Sequence, residues 1–215
     1  RALDTPVTGG NVSFYNENTQ GAVYPTPVIG MVGLLENIDD FTSASFKDEG
    51  DFILALGSIN STLGGSEYLK TIHGKIEGPL HNFDIETELS VQKLCLDAIR
   101  QGLVKSAHDL SDGGLAVNIS ESILFSEKGL GAEINLSRKL RQDELLFGEC
   151  QSVIIVTIEE KSLHKLVSMA NDLNVYTQTI GKVTSNNKLI INNLIDINRD
   201  LLHDAYYNSL KDIME

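Results

Sequence analysis

The first residues that could bind a ligand or take part in catalysis lie near the start of the chain. They form the run Thr8-Gly9-Gly10-Asn11-Val12-Ser13-Phe14-Tyr15-Asn16-Glu17. Two consecutive glycines allow the backbone to approach an anion and to point its N–H groups at it. The amide oxygen of Asn11 suits a hard cation such as Mg²⁺, and the Ser13 hydroxyl can hydrogen-bond a ligand. The combination indicates phosphate and magnesium chemistry. A Gly/Asn-rich turn between strands explains the same residue types, and this alternative stays open.

A second group follows in Ser106-Ala-His-Asp-Leu-Ser-Asp-Gly-Gly114, where a predicted strand ends and a predicted helix begins. Gly113 and Gly114 at a helix N-terminus would expose free N–H groups and the positive end of the helix dipole, which suits an anion. The Asp109 carboxylate suits a metal better than a bare phosphate. Asp112 is either a functional carboxylate or the N-cap of the helix. His108 could act as a base, but a structural role is favoured because no nucleophile accompanies it.

The third group is Phe147-Gly-Glu-Cys-Gln-Ser152, just ahead of a predicted strand. Glu149 and Gln151 lie two residues apart, so in an extended chain their side chains project to the same side. They could contact a ligand together or cap a turn. Cys150 has no visible base to activate it, and together with Cys95 it matches no metal-ligand spacing. Both cysteines are predicted to be reduced thiols, as in a cytosolic protein.

Alternating strand-like and helix-like segments must position these residues. Hydrophobic periodicity predicts strands over 52–56, 103–108, 132–136, 152–158, 177–183 and 188–191. Helices are predicted over 114–125, 161–174 and 200–214, and another runs from an N-cap at Asp84 to a stop at Gly102. This βαβαβ-like alternation predicts an α/β (α+β) fold in which helices cover a mixed sheet.

Residues 1–36 differ in composition from the rest. They are rich in Gly, Thr and Pro and end in the apolar run Pro27-Val-Ile-Gly-Met-Val-Gly-Leu-Leu35, which is typical of a buried strand with close-approach glycines. The polar, turn-rich stretch that follows, Glu36–Ser45, predicts a domain boundary.

Composition and charge exclude several classes of protein. The 215 residues carry 17 Lys+Arg against 30 Asp+Glu, a net charge of −13, which argues against a protein that binds nucleic-acid phosphates. The longest apolar stretch, residues 21–35, is too short for a membrane span and is interrupted by Pro25 and Pro27. No signal peptide is visible. We therefore expect a cytoplasmic chain with neither nucleic-acid nor membrane partners.

Four strings, taken together and in order, resemble the phosphoribosylformylglycinamidine synthases in their C-terminal portion. The strings are Pro6-Val-Thr-Gly-Gly-Asn-Val-Ser-Phe-Tyr-Asn-Glu17, Tyr24-Pro-Thr-Pro-Val-Ile-Gly30, Leu63-Gly-Gly-Ser-Glu-Tyr-Leu69 and Ser106-Ala-His-Asp-Leu-Ser-Asp-Gly-Gly-Leu115. The resemblance extends over essentially the whole chain. Four ordered motifs are far more specific than any one of them alone.

The resemblance implies an ATP-dependent ligase of de novo purine synthesis. In this family ATP activates the amide oxygen of formylglycinamide ribonucleotide, and ammonia displaces phosphate to give the amidine. The implied cofactors are ATP and Mg²⁺. The implied partners are the N-terminal half of the same synthase, a glutaminase subunit or domain that supplies ammonia, and a small accessory subunit.

The family resembles two duplicated halves related to aminoimidazole ribonucleotide synthetase, each with a nucleotide-handling A domain and a B domain. By this comparison residues 1–36 are the end of the second A domain, 37–45 are a linker and 46–215 are the second B domain. If so, residues 1–36 are a strand without its sheet, and we expect them to be partly disordered or to pair with another copy.

The resemblance also implies roles for individual residues. It assigns an ATP contact to Gly10, a magnesium contact to Asn11 and a substrate contact to Ser13. Lower-ranked candidates for a second, non-catalytic site are Asp109, Asp112, Gly113, Gly114, Glu149 and Gln151. The family's catalytic histidine, its ATP-contacting lysine and its acidic metal ligands belong to the first half, so no catalytic residue is expected here and this chain should be inactive alone.

Two departures from the family pattern lie in one segment. Cys150 stands where the family has serine, and Val153 stands where an arginine is usual, which weakens anion binding by this loop. Two further hypotheses remain open: an auxiliary nucleotide site without a catalytic role, and a docking surface for the glutaminase or for partners around an ammonia channel. Aminoimidazole ribonucleotide synthetase, selenophosphate synthetase and thiamine-monophosphate kinase are the runner-up relatives, and the first and third strings argue against them.

Overall fold

The computed structural model describes residues 1–12, 15–137 and 141–214. The chain divides into two compact units, Arg1–Asp40 and Phe41–Glu215. The assignment of residues 1–36, 37–45 and 46–215 to an A domain, a linker and a B domain remains a prediction.

The Arg1–Asp40 unit contains a short antiparallel hairpin, β1 (Glu17–Asn18) and β2 (Gly21–Ala22). The predicted buried strand over residues 27–35 is wrong, because these residues form no strand and Val28 and Val32 are 95% and 99% exposed. An apolar strand is buried only where a sheet and helices cover it. Among the described residues of this unit, the β1–β2 hairpin is the only β-structure that could cover residues 27–35. Pairing with another copy stays a prediction.

The Phe41–Glu215 unit is built on a seven-stranded sheet of order β4-β6-β3-β7-β5-β8-β9. The strands are β3 (Phe52–Leu56), β4 (Val104–Asp109), β5 (Gly131–Ile134), β6 (Ile154–Ile158), β7 (Thr177–Thr184), β8 (Lys188–Ile191) and β9 (Ile195–Asn198). Only the β5–β8 pair is parallel, and the other five pairs are antiparallel. The mixed sheet of the predicted α/β (α+β) fold is thereby confirmed.

Helices cover both faces of this sheet. They are α1 (Glu67–His73), α2 (Ile85–Arg100), α3 (Gly114–Leu124), α4 (Gln142–Phe147), α5 (Glu160–Asp172), α6 (Arg199–Tyr207) and α7 (Ser209–Met214). Buried residues of α2 and α5 form one core, and those of α3 and α4 belong to a second, against which α6 also packs. None of the described helices combines the length and the apolarity that a bilayer crossing requires.

The helix α2 begins and ends where its sequence predicts. The Asp84 carboxylate accepts a hydrogen bond from the backbone N–H of Thr87 at 2.9 Å, as an N-cap does. After the helix, Gly102 adopts a left-handed conformation with φ of +64° and donates its N–H to the carbonyl of Ile99. Glycine tolerates this conformation without a Cβ penalty, which explains the stop.

The C-terminal helical prediction is correct in type and wrong in continuity. Residues 200–214 form two helices, α6 and α7, which separate at Asn208. The short helices α1 and α4 and the strand β9 have no counterpart in the prediction, because segments of four to seven residues are too short for a clear hydrophobic period.

A cluster of charges lies at one end of the sheet, where β4 begins, β3 begins and β6 ends. The Lys105 ammonium contacts the carboxylates of Asp48, Asp51 and Glu159 at 2.9, 2.9 and 3.2 Å. Although burial opposes the charge, these hydrogen bonds hold the pKa of Lys105 above its ordinary value. Burial raises the pKa of Asp51 in spite of Lys105, since the Asp51 side chain is almost completely inaccessible. Lys105 is therefore what makes the buried Asp51 carboxylate tolerable.

We expect Lys105→Met to destabilise the chain by about 2–4 kcal/mol at pH 7, because it leaves a buried carboxylate without its countercharge. Lys128→Met is the matched control, since Lys128 pairs at 2.8 Å with the exposed side of Asp48 and such pairs contribute under about 1 kcal/mol. Urea unfolding of both variants measures the difference. Equal losses would show that the Lys105 cluster is no stronger than a surface pair.

Candidate functional site

A cleft of about 650 Å³ lies at the opposite end of the same strands, where β4 ends and β6 begins. Its lining includes four of the candidate residues, Asp109, Asp112, Glu149 and Gln151. Asp109 is the last residue of β4, Asp112 lies in the turn before α3, and the other two lie between α4 and β6. Gly64 and Gly65, ahead of α1, form a further wall. The fold thus gathers segments that lie far apart in sequence.

Glu149 connects several segments that line this cleft. Its Oε1 accepts hydrogen bonds from the backbone N–H of Gly113 and from that of Glu67, each at 2.9 Å. Its own backbone pairs with Thr62 in both directions, at 2.9 and 3.2 Å. The carboxylate therefore contacts protein on two sides.

Gly113 and Gly114 introduce α3 in left-handed conformations, with φ of +78° and +70°. Gly113 is the N-cap, so the alternative in which Asp112 caps the helix is wrong. The functional alternative for Asp112 stays a prediction. At Gly114 a Cβ would lie 2.6 Å from the carbonyl oxygen of Gly148. The glycine pair therefore allows close packing between the start of α3 and the end of α4.

Two polar residues that support the cleft have no counterpart in the prediction. Asn118 is buried on α3 and donates its Nδ2 to the carbonyl of Asp109 at 2.7 Å, which fixes the end of β4. Ser152 adopts a φ of +58° and donates its hydroxyl to the Glu88 carboxylate at 2.6 Å. An amide among the apolar positions of α3 was the one available signal for Asn118. Ser152 offered none, because its partner lies 64 residues away.

The cleft is acidic. Glu88, Asp109, Asp112 and Glu149 are in its lining, which contains no lysine or arginine among the residues the structure describes. Val153, at the position where the family has an arginine, is 2% exposed and packs in the core. The backbone N–H of Gly113 already donates to Glu149, and that of Gly114 donates to the Ser111 carbonyl. An acidic lining without lysine or arginine among its described residues disfavours a free phosphate group.

His108 is not part of the cleft lining. Its Nε2 lies 3.4 Å from Glu121 Oε2 and its Nδ1 lies 3.3 Å from Ser122 Oγ, both on α3. Neighbouring residues of a strand point to opposite faces, which separates it from Asp109. Cys95 and Cys150 are buried and form no disulfide, as predicted, and burial raises the pKa of Cys95 to about 11.

The three higher-ranked candidates lie in the Arg1–Asp40 unit. Gly10 and Asn11 are exposed, and a Cβ on Gly10 would meet no described atom within 4 Å. Ser13 lies outside the described residues. A glycine backbone and an amide oxygen suit a phosphate and a magnesium ion, but one neutral oxygen is only part of a coordination shell. Within the described ranges, no group of three or more His, Cys, Asp or Glu is placed to hold a metal ion.

Comparison with known protein families identifies the family to which the Phe41–Glu215 unit corresponds. The family described as AIR synthase related protein, C-terminal domain, matches residues 48–192. The chain belongs to this family.

Individual proteins that are similar in sequence identify the relatives more specifically than the family does. The chain is 46% identical over 180 residues to the phosphoribosylformylglycinamidine synthase subunit PurL of Moorella thermoacetica, covering 84% of this chain and 24% of that protein. It is 38% identical over 218 residues to the PurL subunit of Alkaliphilus metalliredigens, covering 100% of this chain and 29% of that protein. The resemblance to this synthase is thus confirmed. The chain spans 24% to 29% of the length of these relatives.

Solved structures show the same fold. Thermotoga maritima PurL complexed with FGAR superposes with a TM-score of 0.65 at 18% identity, covering 77% of this chain and 30% of that one. The same protein complexed with ATP gives a TM-score of 0.61 at 19% identity, covering 77% and 28%.

We expect Gly114→Ala to destabilise the chain by at least 3 kcal/mol, because it adds a backbone collision with Gly148 to the ~1–2 kcal/mol strain of a left-handed alanine. Gly129→Ala is the matched control: Gly129 has a φ of +64°, but an added Cβ would meet only Asn187 Oδ1 at 3.9 Å, so it reports the strain alone. Chemical denaturation compares them. Equal losses of unfolding free energy in the two variants would mean that α3 and α4 readily move apart.

Proposed function

We propose that this chain is the C-terminal part of a phosphoribosylformylglycinamidine synthase of the PurL type. This enzyme is an ATP-dependent ligase that converts formylglycinamide ribonucleotide, ammonia from glutamine and ATP to the amidine. The observation that supports it most is the 38% identity to a PurL subunit over 100% of the chain. That match includes residues 1–40, which lie outside the family module at 48–192 and carry the Gly-Gly-Asn segment.

The proposed ATP and Mg²⁺ contacts lie in that first unit. The Gly10 backbone N–H would bind a phosphate oxygen, the Asn11 amide oxygen would be one ligand of Mg²⁺, and the Ser13 hydroxyl would hold the substrate. When bound, the magnesium ion would neutralise negative charge that develops during phosphoryl transfer. All three groups are neutral, and the family resemblance implies that the catalytic and cationic groups belong to the N-terminal half. We therefore expect no turnover by this chain alone.

The proposed partners follow from the same assignment. They are the N-terminal half of the synthase, a glutaminase subunit or domain, and a small accessory subunit, all in the cytoplasm. PurL structures complexed with ATP, ADP and FGAR are consistent with the proposed cofactor and substrate. Neither nucleic acid nor a membrane is among the partners we propose.

A second candidate function is an auxiliary nucleotide site in the cleft of Asp109, Asp112, Glu149 and Gln151. The glycine turn before α3 favours it, and the acidic lining opposes it. A nucleotide could enter only with cations that bridge its phosphates to these carboxylates. Calorimetry with ADP in the presence and absence of Mg²⁺ tests this candidate, and binding without Mg²⁺ would contradict the charge argument. The docking alternative is tested by pull-down against the glutaminase and the accessory subunit.

We expect activity only when this chain is combined with the N-terminal remainder of a PurL relative, ATP, Mg²⁺, formylglycinamide ribonucleotide and ammonium. Asn11→Ala should lower kcat/KM at least 10-fold and raise the Mg²⁺ requirement, since it removes a metal ligand. Ser13→Ala should mainly raise the KM for the ribonucleotide, by about 10-fold for one lost hydrogen bond. Release of ADP and amidine product measures both.

Asn18→Ala is the control in the same unit, because Asn18 lies in the β1–β2 hairpin and bonds only locally to Gln20. It should leave the rates within 2-fold. Size-exclusion chromatography first establishes that the two pieces bind. If they bind and nothing turns over, or if all three variants behave alike, the assignment of Gly10, Asn11 and Ser13 to the active site is wrong.

A further inference from the structure

Three separate segments of the chain meet at the Glu149 carboxylate. Glu67 is the first residue of α1, Gly113 immediately precedes α3, and Glu149 follows α4. A single oxygen, Oε1, accepts the N–H groups of the first two residues, each at 2.9 Å. Side chains that bond two helix starts at once differ from ordinary caps, which belong to the helix that they cap.

Both N–H groups belong to helix N-termini, where backbone donors lack partners within the helix and the dipole favours negative charge. The cap of α3 is a glycine, which has no side chain to accept a hydrogen bond. The cap of α1, Ser66, accepts from Leu69 instead of Glu67. At both helix starts Glu149 therefore accepts a backbone N–H group that the side chain of the cap residue does not bond.

The bonded segments are two walls of the cleft. Gly64 and Gly65, which lead into α1, form one wall, and Asp112, which leads into α3, forms another. The helix α1 has no buried residue of its own. It is attached through the backbone pair of Thr62 with Glu149, the stacking of Tyr68 on Phe147 at 5.1 Å, and the Glu149 carboxylate. Only the last of these joins it to the start of α3.

We propose that Glu149 is an internal anion that bridges the two walls by accepting a backbone hydrogen bond from each helix start. It is a positioning residue: it holds the Gly64–Gly65 wall against the start of α3 and uses the backbone donors that a phosphate would need. The native cleft therefore accepts no phosphate group at these amides. This role needs no assumption about the ligase activity proposed above, and it differs from the ligand contact that the family resemblance implies for Glu149.

Amide hydrogen exchange on the ¹⁵N-labelled full chain tests the proposal. Glu149→Ala should lower protection of the Glu67 and Gly113 amides at least 10-fold, while amides in the strands β3 and β6 stay protected. Sodium acetate should restore protection at these two amides, because it returns a carboxylate to the vacated space, and sodium chloride at equal ionic strength should not. Inorganic phosphate should shift both amide resonances in Glu149→Ala and leave them unchanged in the native chain.

Asp112→Asn is the matched control, since it removes one negative charge from the same cleft and leaves Glu149 in place. It should change neither the protection of the two amides nor their response to acetate. If Glu149→Ala does not fold, Glu149→Gln keeps an acceptor oxygen without the charge, and it should show reduced protection at the same two amides alone. Unchanged protection in the variants, failure of acetate to restore it, or a phosphate response in the native chain would each overturn the proposal.

Discussion

The interior strand β3 must be buried on both faces, and the rest of the larger unit is arranged to meet this requirement. Ile53 and Ala55 point into the core formed with α3 and α4, while Leu54 and Leu56 point into the core formed with α2 and α5. Because strand side chains alternate between faces, a five-residue apolar run supplies both cores at once. The neighbours β6 and β7 satisfy its backbone on either side. Helices on one face alone would leave half of these side chains in water.

A sheet covered on both faces leaves only the strand ends for polar chemistry, and the two ends are used differently. At one end Lys105 neutralises buried and half-exposed carboxylates, so that charges there stabilise the fold. At the other end Asp109 and Asp112 face the cleft. Their carboxylates form no hydrogen bond to a residue that the structure describes. Charge that is paired serves structure, whereas charge that is left facing a cavity is available to a ligand. The difference identifies the second end as the candidate site.

The sequence predicted what depends on local pattern. The periodicity of α2 and its Asp84 cap, the β-branched run of β6 and the sheet covered by helices are all present in the structure. It could not predict what depends on distant partners. The apolar run at 27–35 has the composition of a buried strand, but burial requires neighbours that this run does not have among the described residues. Antiparallel pairing of β3 with β6 joins residues about a hundred positions apart, which no local period encodes.

The candidate site shows the same limit. The segments with Asp109, Asp112, Glu149 and Gln151 could be selected from residue types, and they do meet at one cleft. The residue types could not show that Glu149 bonds to Glu67 and Gly113 of the chain itself. The ligand contacts that the family resemblance implies for these residues stay a prediction. The role of a carboxylate is set by the donors around it, and these donors come from two helix starts that lie far from residue 149 in the sequence.

The charge of the cleft also affects which part of the proposed ligase can bind phosphate groups. Binding of phosphate groups requires cations or free backbone donors. In the cleft Val153 is buried in the core, the Gly113 amide is already bonded to Glu149, and the described lining contains no lysine or arginine. The contacts that we propose for the nucleotide, the magnesium ion and the substrate, namely Gly10, Asn11 and Ser13, are all neutral. We therefore expect a ligase built with this chain to draw positive charge at these contacts from magnesium and from the N-terminal half.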